Sequence, residues 1–269
     1  MKSFIMKLFL LINFTLAYIS ILAQQNDLIL PAGAQKTLTP EERILSLKKL
    51  SIGDNATIII PASVNGWTVT ATDVSIGNNV KIISMATHGN AGPSGVSAAA
   101  STARCRAGMA GASGMNGQSG LPAKNISLNF RLRTIGSLVI EVNGAEGGNG
   151  GNGGNGGKGG DATCTCNGGN GGYGGRGGNG GNGGNGGSVS IVYSKIGKVS
   201  ASNSNFIVHN IGGRSGIGGA GGIGGAGGAA SDCSDLKATV KVAGAQGANG
   251  ARGNDGLQGR NGSVTITAQ

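Results

Sequence analysis

The stretch that decides the fold runs from Gly144 to Gly187 and reads GAEGGNGGNGGNGGKGGDATCTCNGGNGGYGGRGGNGGNGGNGG. Glycine occupies every third position from Gly144 to Gly159, and a second glycine stands beside most of these. The pattern stops at residues 161–167, which contain no glycine, and then resumes in the same phase. A flexible linker does not need its glycines at a fixed spacing. A spacing of three that continues in register after an interruption therefore indicates an ordered structure.

Two further glycine tracts, one on each side of this stretch, share its plan. They span residues 89–122 and 212–262, and each contains two runs with glycine at every third position. In the last tract the runs cover 213–228 and 244–262, and residues 229–243 separate them. Each tract is therefore predicted to form a hairpin with two glycine-rich legs.

Other structures also repeat with a period of three. Collagen needs many prolines, and the chain has only five. Calcium-binding β-rolls need an aspartate in each repeat, whereas only Asp161 and Asp255 lie in or directly beside the glycine runs of the tracts. The remaining interpretation is a bundle of extended, left-handed helices of the polyproline II type, built from glycine and called polyglycine II. Glycine at every third position lets a neighbouring backbone approach closely.

The segments between the tracts predict short β-strands, because β-branched residues alternate there with polar ones. These segments cover 44–87, 125–143, 188–211 and 263–267, in blocks near the length of one β-solenoid coil. Residues 75–80 weakly repeat residues 51–56. A small β-sandwich is the alternative. The expected fold is all-β plus polyglycine II: an N-terminal segment at 24–43, then a β-solenoid-like domain at 44–269 with hairpins at 89–122, 144–187 and 212–262.

All four cysteines lie in the interruptions of the tracts, where the hairpin tips are expected. Cys105 lies in the first interruption, Cys164 and Cys166 in the middle one and Cys233 in the last. One disulfide from the middle tip to each outer tip would lock the three hairpins together, and the spacing leaves both pairings open. A zinc site is the alternative, which the Cys-x-Cys spacing disfavours. We expect no metal and no cofactor.

The first residues predict secretion. Lys2 and Lys7 precede an apolar run from Leu8 to Leu22, and polar residues follow Ala23, as in a signal peptide at 1–23. A membrane anchor is the alternative, although the apolar core is short for a span. The net charge of +10 would suit a glycan or another anionic surface. Nucleic acid is not an expected partner, because aromatic content is 3% and the basic residues form no block.

Six glycine-rich legs in three hairpins with cysteine at their tips resemble the polyproline II and polyglycine II helix-bundle proteins. This group includes the snow flea antifreeze protein and the tips of phage long-tail-fibre adhesins. The resemblance covers the three tracts and rests on glycine periodicity and cysteine placement. It implies a six-helix bundle and a function at a surface, either adhesion or ice binding.

Catalysis is not expected, because the two histidines each precede a glycine tract, as solenoid corners would, and no nucleophile motif is present. The leading expectation is adhesion through outward amide rows that hydrogen-bond a glycan; alternatively, these rows only keep the bundle soluble. Ice binding by a flat apolar row is the runner-up, and that row could instead pack against the β part or a partner. The predicted adhesion residues are Asn149, Asn152, Asn155, Asn170, Tyr173, Arg176, Asn179, Asn182 and Asn185, and the predicted ice-binding residues are Ile217, Ala220, Ile223 and Ala226.

Overall fold

The structure, a computed structural model, describes residues 27–233 and 240–269. The predicted signal peptide at 1–23 lies outside the described residues. Regular structure in the described part consists of eleven β-strands and two short 3-10 turns, at Pro40–Arg43 and Asn203–Asn205. The strands are β1 (Asp27–Leu30), β2 (Gln35–Thr37), β3 (Ile44–Ile52), β4 (Thr57–Ile60), β5 (Trp67–Ile76), β6 (Val80–Ser84), β7 (Ile126–Ile135), β8 (Leu138–Glu141), β9 (Val189–Lys195), β10 (Phe206–His209) and β11 (Val264–Ala268).

The strands alternate between two parallel sheets. Odd-numbered strands form a six-stranded sheet in the order β1-β3-β5-β7-β9-β11, and even-numbered strands form a five-stranded sheet in the order β2-β4-β6-β8-β10. One odd strand and the following even strand make one coil, and each strand pairs in parallel with its counterpart one coil away. The all-β prediction is confirmed. The arrangement is a two-sheeted parallel β-solenoid rather than the alternative β-sandwich.

Corners of two to four residues join β1, β3, β5 and β7 to the next even strands, and the weak sequence repeat lies there. Asn55 and Asn79 both adopt the left-handed conformation, with φ of 58° and 52°, which asparagine tolerates better than most residues. The Asn79 side-chain amide donates to Asn55 Oδ1 at 2.9 Å. The backbone N–H of Asn78 donates to Asp54 Oδ1 at 2.6 Å. The repeat of 24 residues is therefore one coil of the solenoid.

The core of the solenoid lies between the two sheets and is built from aligned columns. Val69, Leu128 and Ile191 occupy matching register positions on β5, β7 and β9, and all three are almost fully buried. Trp67 and Phe130 are the bulkiest fully buried side chains. Alternation along the inner strands, such as β5 and β7, sends every second side chain into this core, as the period of two in the sequence predicts.

The solenoid begins earlier than the sequence indicates. The boundary at residue 44 is corrected, because β1 pairs with β3 and β2 pairs with β4, which makes residues 27–37 part of the first coil. Strand β2 has the sequence QKT and no apolar residue of its own. It gains its strand conformation from the register with β4, so its own residues carry no strand signal.

All three glycine-rich hairpins leave the solenoid at one corner, between an even strand and the next odd strand. They follow β6, β8 and β10, so their outgoing legs continue the even sheet and their returning legs lead into the odd sheet. We number the legs in chain order. They cover residues 89–101 (leg 1), 108–123 (leg 2), 144–160 (leg 3), 168–187 (leg 4), 211–229 (leg 5) and 242–262 (leg 6).

Backbone hydrogen bonds join the legs with a period of three. In leg 3, Gly150 donates to Ile217 of leg 5, and the next residue, Gly151, donates to Met115 of leg 2, both at 2.8 Å. The same two bonds recur at every triplet along leg 3, and leg 4 bonds in the same way to legs 6 and 3. The middle hairpin is therefore hydrogen-bonded to both outer hairpins. This position accounts for its two glycines per triplet, since it has neighbours on more sides than legs 2 and 6.

Close approach of neighbouring backbones requires glycine in the legs. A Cβ atom added to Gly175 would overlap the Ala112 carbonyl group and would lie 2.9 Å from the Gly111 oxygen. The Ala112 oxygen also accepts a hydrogen bond from Gly154 at 2.8 Å, so it cannot move away without breaking that hydrogen bond. Similar overlaps with backbone atoms recur at the glycines along all six legs.

Two disulfide bonds join the hairpin tips. They link Cys105 to Cys166 and Cys164 to Cys233, across sequence separations of 61 and 69 residues. Each outer tip is thereby joined to the middle tip, in one of the two pairings that the sequence leaves open. Because all four thiols are used in disulfides, the zinc alternative is excluded.

Candidate functional site: two faces of the glycine-rich bundle

The six legs present two broad faces to solvent. Legs 1, 3 and 5 form one layer, whose exposed side we call the outgoing face. Legs 2, 4 and 6 form the other layer, with the returning face. Hydrogen bonds between neighbouring legs of a layer place one residue from each leg at a common level. Each face is therefore a grid, with levels about 9 Å apart if each triplet makes one turn of a three-residue helix.

Three consecutive levels of the outgoing face carry no charged side chain. Gly95 donates to the Asn152 oxygen and Gly153 donates to the Ala220 oxygen, which fixes the middle level. Ile217 and Ile223 are 59% and 60% exposed, so the predicted apolar row is not packed against other described residues. The three levels are Ala91–Asn149–Ile217, Ser94–Asn152–Ala220 and Ser97–Asn155–Ile223.

Charged residues stand at both ends of this uncharged region. Toward the solenoid, the next level contains Glu146 and Arg214. His88 lies at the same level, where its Nδ1 accepts the Glu146 N–H at 3.2 Å. Toward the tips, Lys158 donates to Asp161 at 2.7 Å. The Lys158 ammonium group and the Ala229 N–H hold the pKa of Asp161 below its ordinary value.

The asparagine rows serve first as caps for the bundle itself. In legs 3 and 4 two of the three backbone N–H groups of a triplet bond to neighbouring carbonyls, and in legs 5 and 6 one of the three does; in each of these legs the outward residue's N–H has no backbone partner. Asn152 Oδ1 accepts this N–H from Ala220 at 2.9 Å, and Asn182 Oδ1 accepts it from Leu257 at 2.8 Å. All seven predicted asparagines cap the next leg in this way: Asn149, Asn152, Asn155, Asn170, Asn179, Asn182 and Asn185.

A second set of caps joins the two layers at the edge formed by legs 5 and 6. Asn249, Asp255 and Asn261 accept the N–H groups of Gly224, Gly218 and Gly212 at 2.8–2.9 Å. Asp255 also accepts from the Arg252 guanidinium at 2.6 Å. The Gly218 N–H, and then Arg252, hold the pKa of this carboxyl below its ordinary value.

The returning face differs because two large side chains interrupt its asparagine row. Tyr173 and Arg176 take the places of asparagine at successive levels, and the Tyr173 side chain is 68% exposed. Their neighbours are small: Ala110 and Ala248 share the level of Tyr173, and Ser113 and Ala251 share the level of Arg176. Small residues of legs 2 and 6 therefore flank these two large side chains.

The structure distributes the sequence-predicted residues over both faces. Three of the predicted adhesion residues share the outgoing face with the predicted ice-binding row, and the other six lie on the returning face. Sequence reasoning missed Ser94 and Ser97, whose hydroxyl groups accept the N–H of Asn152 and Asn155. Their spacing of three was the available signal, but it does not reveal which leg they face.

Comparisons with known proteins leave the family open. No protein-family model matches the chain, and no curated protein matches it. Among solved structures, the chain is similar to the nine polyproline type II helical bundle springtail antifreeze protein from Granisotoma rainieri, with 27% sequence identity. The match covers 64% of this chain and 96% of that one, with a TM-score of 0.15.

Within residues 27–233 and 240–269, no helix has the length and apolar character needed to cross a bilayer.

Proposed function

We propose that the chain is a secreted, non-enzymatic protein whose six legs are polyglycine II helices that bind a surface. The period-three hydrogen bonding supports the helical assignment, because a three-residue turn returns equivalent N–H groups to the same neighbour. The two disulfides are compatible with an oxidising, extracellular compartment.

Ice is the surface that we propose, and the uncharged levels of the outgoing face are the observation that carries this proposal. A crystal presents a repeating lattice, so a protein that binds it benefits from a regular array of groups. Neighbouring legs continue neighbouring strands, which lie about 4.8 Å apart. Methyl groups, hydroxyls and amides fill these levels, and they release bound water more readily than charged groups do.

Rigidity supports the same proposal. The asparagine caps, the backbone bonds and the tip disulfides hold the array before any ligand arrives. A preorganised surface loses little conformational entropy on binding, which matters when each contact is weak.

Adhesion to a glycan through the asparagine rows has less support from the contacts. Each Oδ1 atom of these rows already accepts a backbone N–H, which leaves mainly the side-chain NH₂ groups to bind a ligand. Adhesion through these rows stays a prediction.

Ice growth in the presence of the oxidised protein tests the proposal. We expect a gap between the melting and freezing temperatures together with faceted crystals. Ala220→Lys places a charge at the centre of the uncharged levels and should abolish both effects. Ala251→Lys is the matched control, because it makes the same change at an outward alanine of the returning face. Equal activity in the two variants, or no activity in the unmodified protein, would contradict the proposal.

A further inference from the structure

The side-chain caps from leg 4 to leg 6 are interrupted at one place on the returning face. Asn170, Asn179, Asn182 and Asn185 cap the backbone N–H groups of leg 6, but Tyr173 and Arg176 have no side-chain carbonyl. Among the described residues, the N–H groups of Ala248 and Ala251, which these positions would cap, therefore have no hydrogen-bond partner.

The neighbouring leg leaves a matching gap. Asn116 and Ser119 of leg 2 cap the N–H groups of Asn179 and Asn182. At the levels of Tyr173 and Arg176, leg 2 contributes Ala110 and Ser113 instead. In the described part of the chain, the N–H groups of Tyr173 and Arg176 also have no hydrogen-bond partner. Four backbone donors on two adjacent levels thus lack a hydrogen-bond partner within the described residues.

These levels are rich in donors and poor in acceptors. The Arg176 guanidinium adds a fixed positive charge and up to five N–H donors. No carboxylate belongs to either level, and the acidic residue nearest in sequence on leg 6, Asp255, is already bound to Gly218 and Arg252. An oxyanion would be the complementary ligand, since charge-assisted bonds to backbone N–H and guanidinium groups are strong.

We propose that Tyr173, Arg176 and the four open N–H groups form a binding site for an acidic polysaccharide. The sulfate or carboxylate group of the sugar accepts from Arg176 and from the N–H of Ala251. Tyr173 presents an exposed ring face and a hydroxyl group to the adjoining sugar ring. The small side chains at these two levels leave room for a polysaccharide chain to lie across the legs; they belong to Ala110, Ser113, Ala248 and Ala251. The site goes beyond the proposed ice binding and lies on the opposite face.

Two variants remove the site by completing the asparagine row. Arg176→Asn supplies a carbonyl oxygen for the Ala251 N–H and removes the charge. Tyr173→Asn does the same for the Ala248 N–H and removes the ring. Both should fold, because asparagine occupies four other positions of this row. Arg260→Asn is the matched control: it removes an arginine from the same face three levels away, about 28 Å along the legs.

Isothermal titration calorimetry with heparin, polygalacturonate and neutral dextran tests the proposal. We expect heparin, polygalacturonate or both to bind and dextran not to bind. Arg176→Asn should weaken the binding about tenfold, equivalent to about 1.4 kcal/mol, while Arg260→Asn stays within about twofold. The two acidic polymers separate sulfate from carboxylate preference.

Three results would overturn the site: no binding of either acidic polymer, equal binding of dextran, or equal losses in the Arg176 and Arg260 variants. The last would mean that diffuse positive charge attracts the polymer. Ice-growth assays on the same variants keep the two proposals apart. Arg176→Asn should retain ice activity, and Ala220→Lys should retain polysaccharide binding.

Discussion

Replacing Gly175 by alanine tests whether the legs pack as closely as described. The added methyl group would displace the Ala112 carbonyl, which accepts from Gly154. Gly175 itself donates to Gly154 and accepts from Gly222, each at 2.8 Å. Losing these three hydrogen bonds would lower the free energy of unfolding by about 3 kcal/mol at roughly 1 kcal/mol each. Overpacking would lower it by about 1–3 kcal/mol more.

A smaller effect opposes this loss. Alanine restricts the unfolded chain more than glycine does, which would stabilise the protein by about 0.4–1 kcal/mol. The net change should therefore be a destabilisation of about 3–5.6 kcal/mol. For a chain of this size we expect the melting temperature to fall by about 10 °C.

Thermal unfolding of the oxidised protein, followed by circular dichroism, measures this change. Asn182→Ala is the comparison variant, since it loses one exposed cap without any overlap and should lower the free energy of unfolding by about 1 kcal/mol. If the legs were flexible linkers, Gly175→Ala would be neutral or slightly stabilising. A Gly175→Ala protein as stable as the unmodified one would refute the packing argument.

Three further predictions concern the Asn182 cap, the Asp255 carboxylate and the Cys105–Cys166 disulfide. Asn182→Asp keeps the acceptor for the Leu257 N–H, so at neutral pH it should retain more stability than Asn182→Ala in urea unfolding; equal losses would argue against the cap. The folded-state pKa of Asp255 lies below 3.8, so its contribution to stability is complete above that value and is lost as the pH falls through the folded pKa. Melting temperatures from pH 6 to pH 2 should therefore fall less for Asp255→Asn, and parallel curves would contradict this. Replacing Cys105 and Cys166 by serine opens a loop with a sequence separation of 61 residues and should lower the free energy of unfolding by about 4 kcal/mol in the chain-entropy model, as chemical denaturation would measure.

Features that depend on periodicity could be predicted from the sequence. The alternation in Ser127–Leu132 identified β7, and the repeat of 24 residues corresponds to the coil. The glycine period located the legs, and the interruptions located the cysteines that form disulfides. These signals are local, because strand and turn preferences act over a few residues.

Features that depend on register between distant segments could not be predicted. Asn149 caps Ile217, which lies 68 residues further along the chain, and Asn182 caps Leu257 at a distance of 75 residues. The sequence predicts that these asparagines point outward, but it does not show that their Oδ1 atoms already accept backbone N–H groups. The gap at Tyr173 and Arg176 has meaning only once the N–H groups opposite them are known. Strand β2 was missed for the same reason, since its partner β4 defines it.

The direct continuation of sheets into legs explains how a glycine-rich bundle can be anchored. Val142 donates to His209, and Gly144 donates to Ile211, which extends the pairing of β8 with β10 into legs 3 and 5. The solenoid core thus fixes the spacing and the register of the legs at one end. The disulfides fix them at the other end. Ordering many glycines is entropically unfavourable, so both anchors are needed.

Amide hydrogen exchange, followed by nuclear magnetic resonance on the oxidised protein, tests most directly whether the legs form an ordered hydrogen-bonded bundle. Within leg 4, the glycine pairs such as Gly174 and Gly175 should exchange slowly, because both N–H groups have backbone partners. The N–H groups of Tyr173 and Arg176 should exchange quickly, which gives a protection pattern with a period of three. Uniformly fast exchange along the leg, at the rate of an unfolded chain, would contradict the bundle and the two binding faces that depend on it.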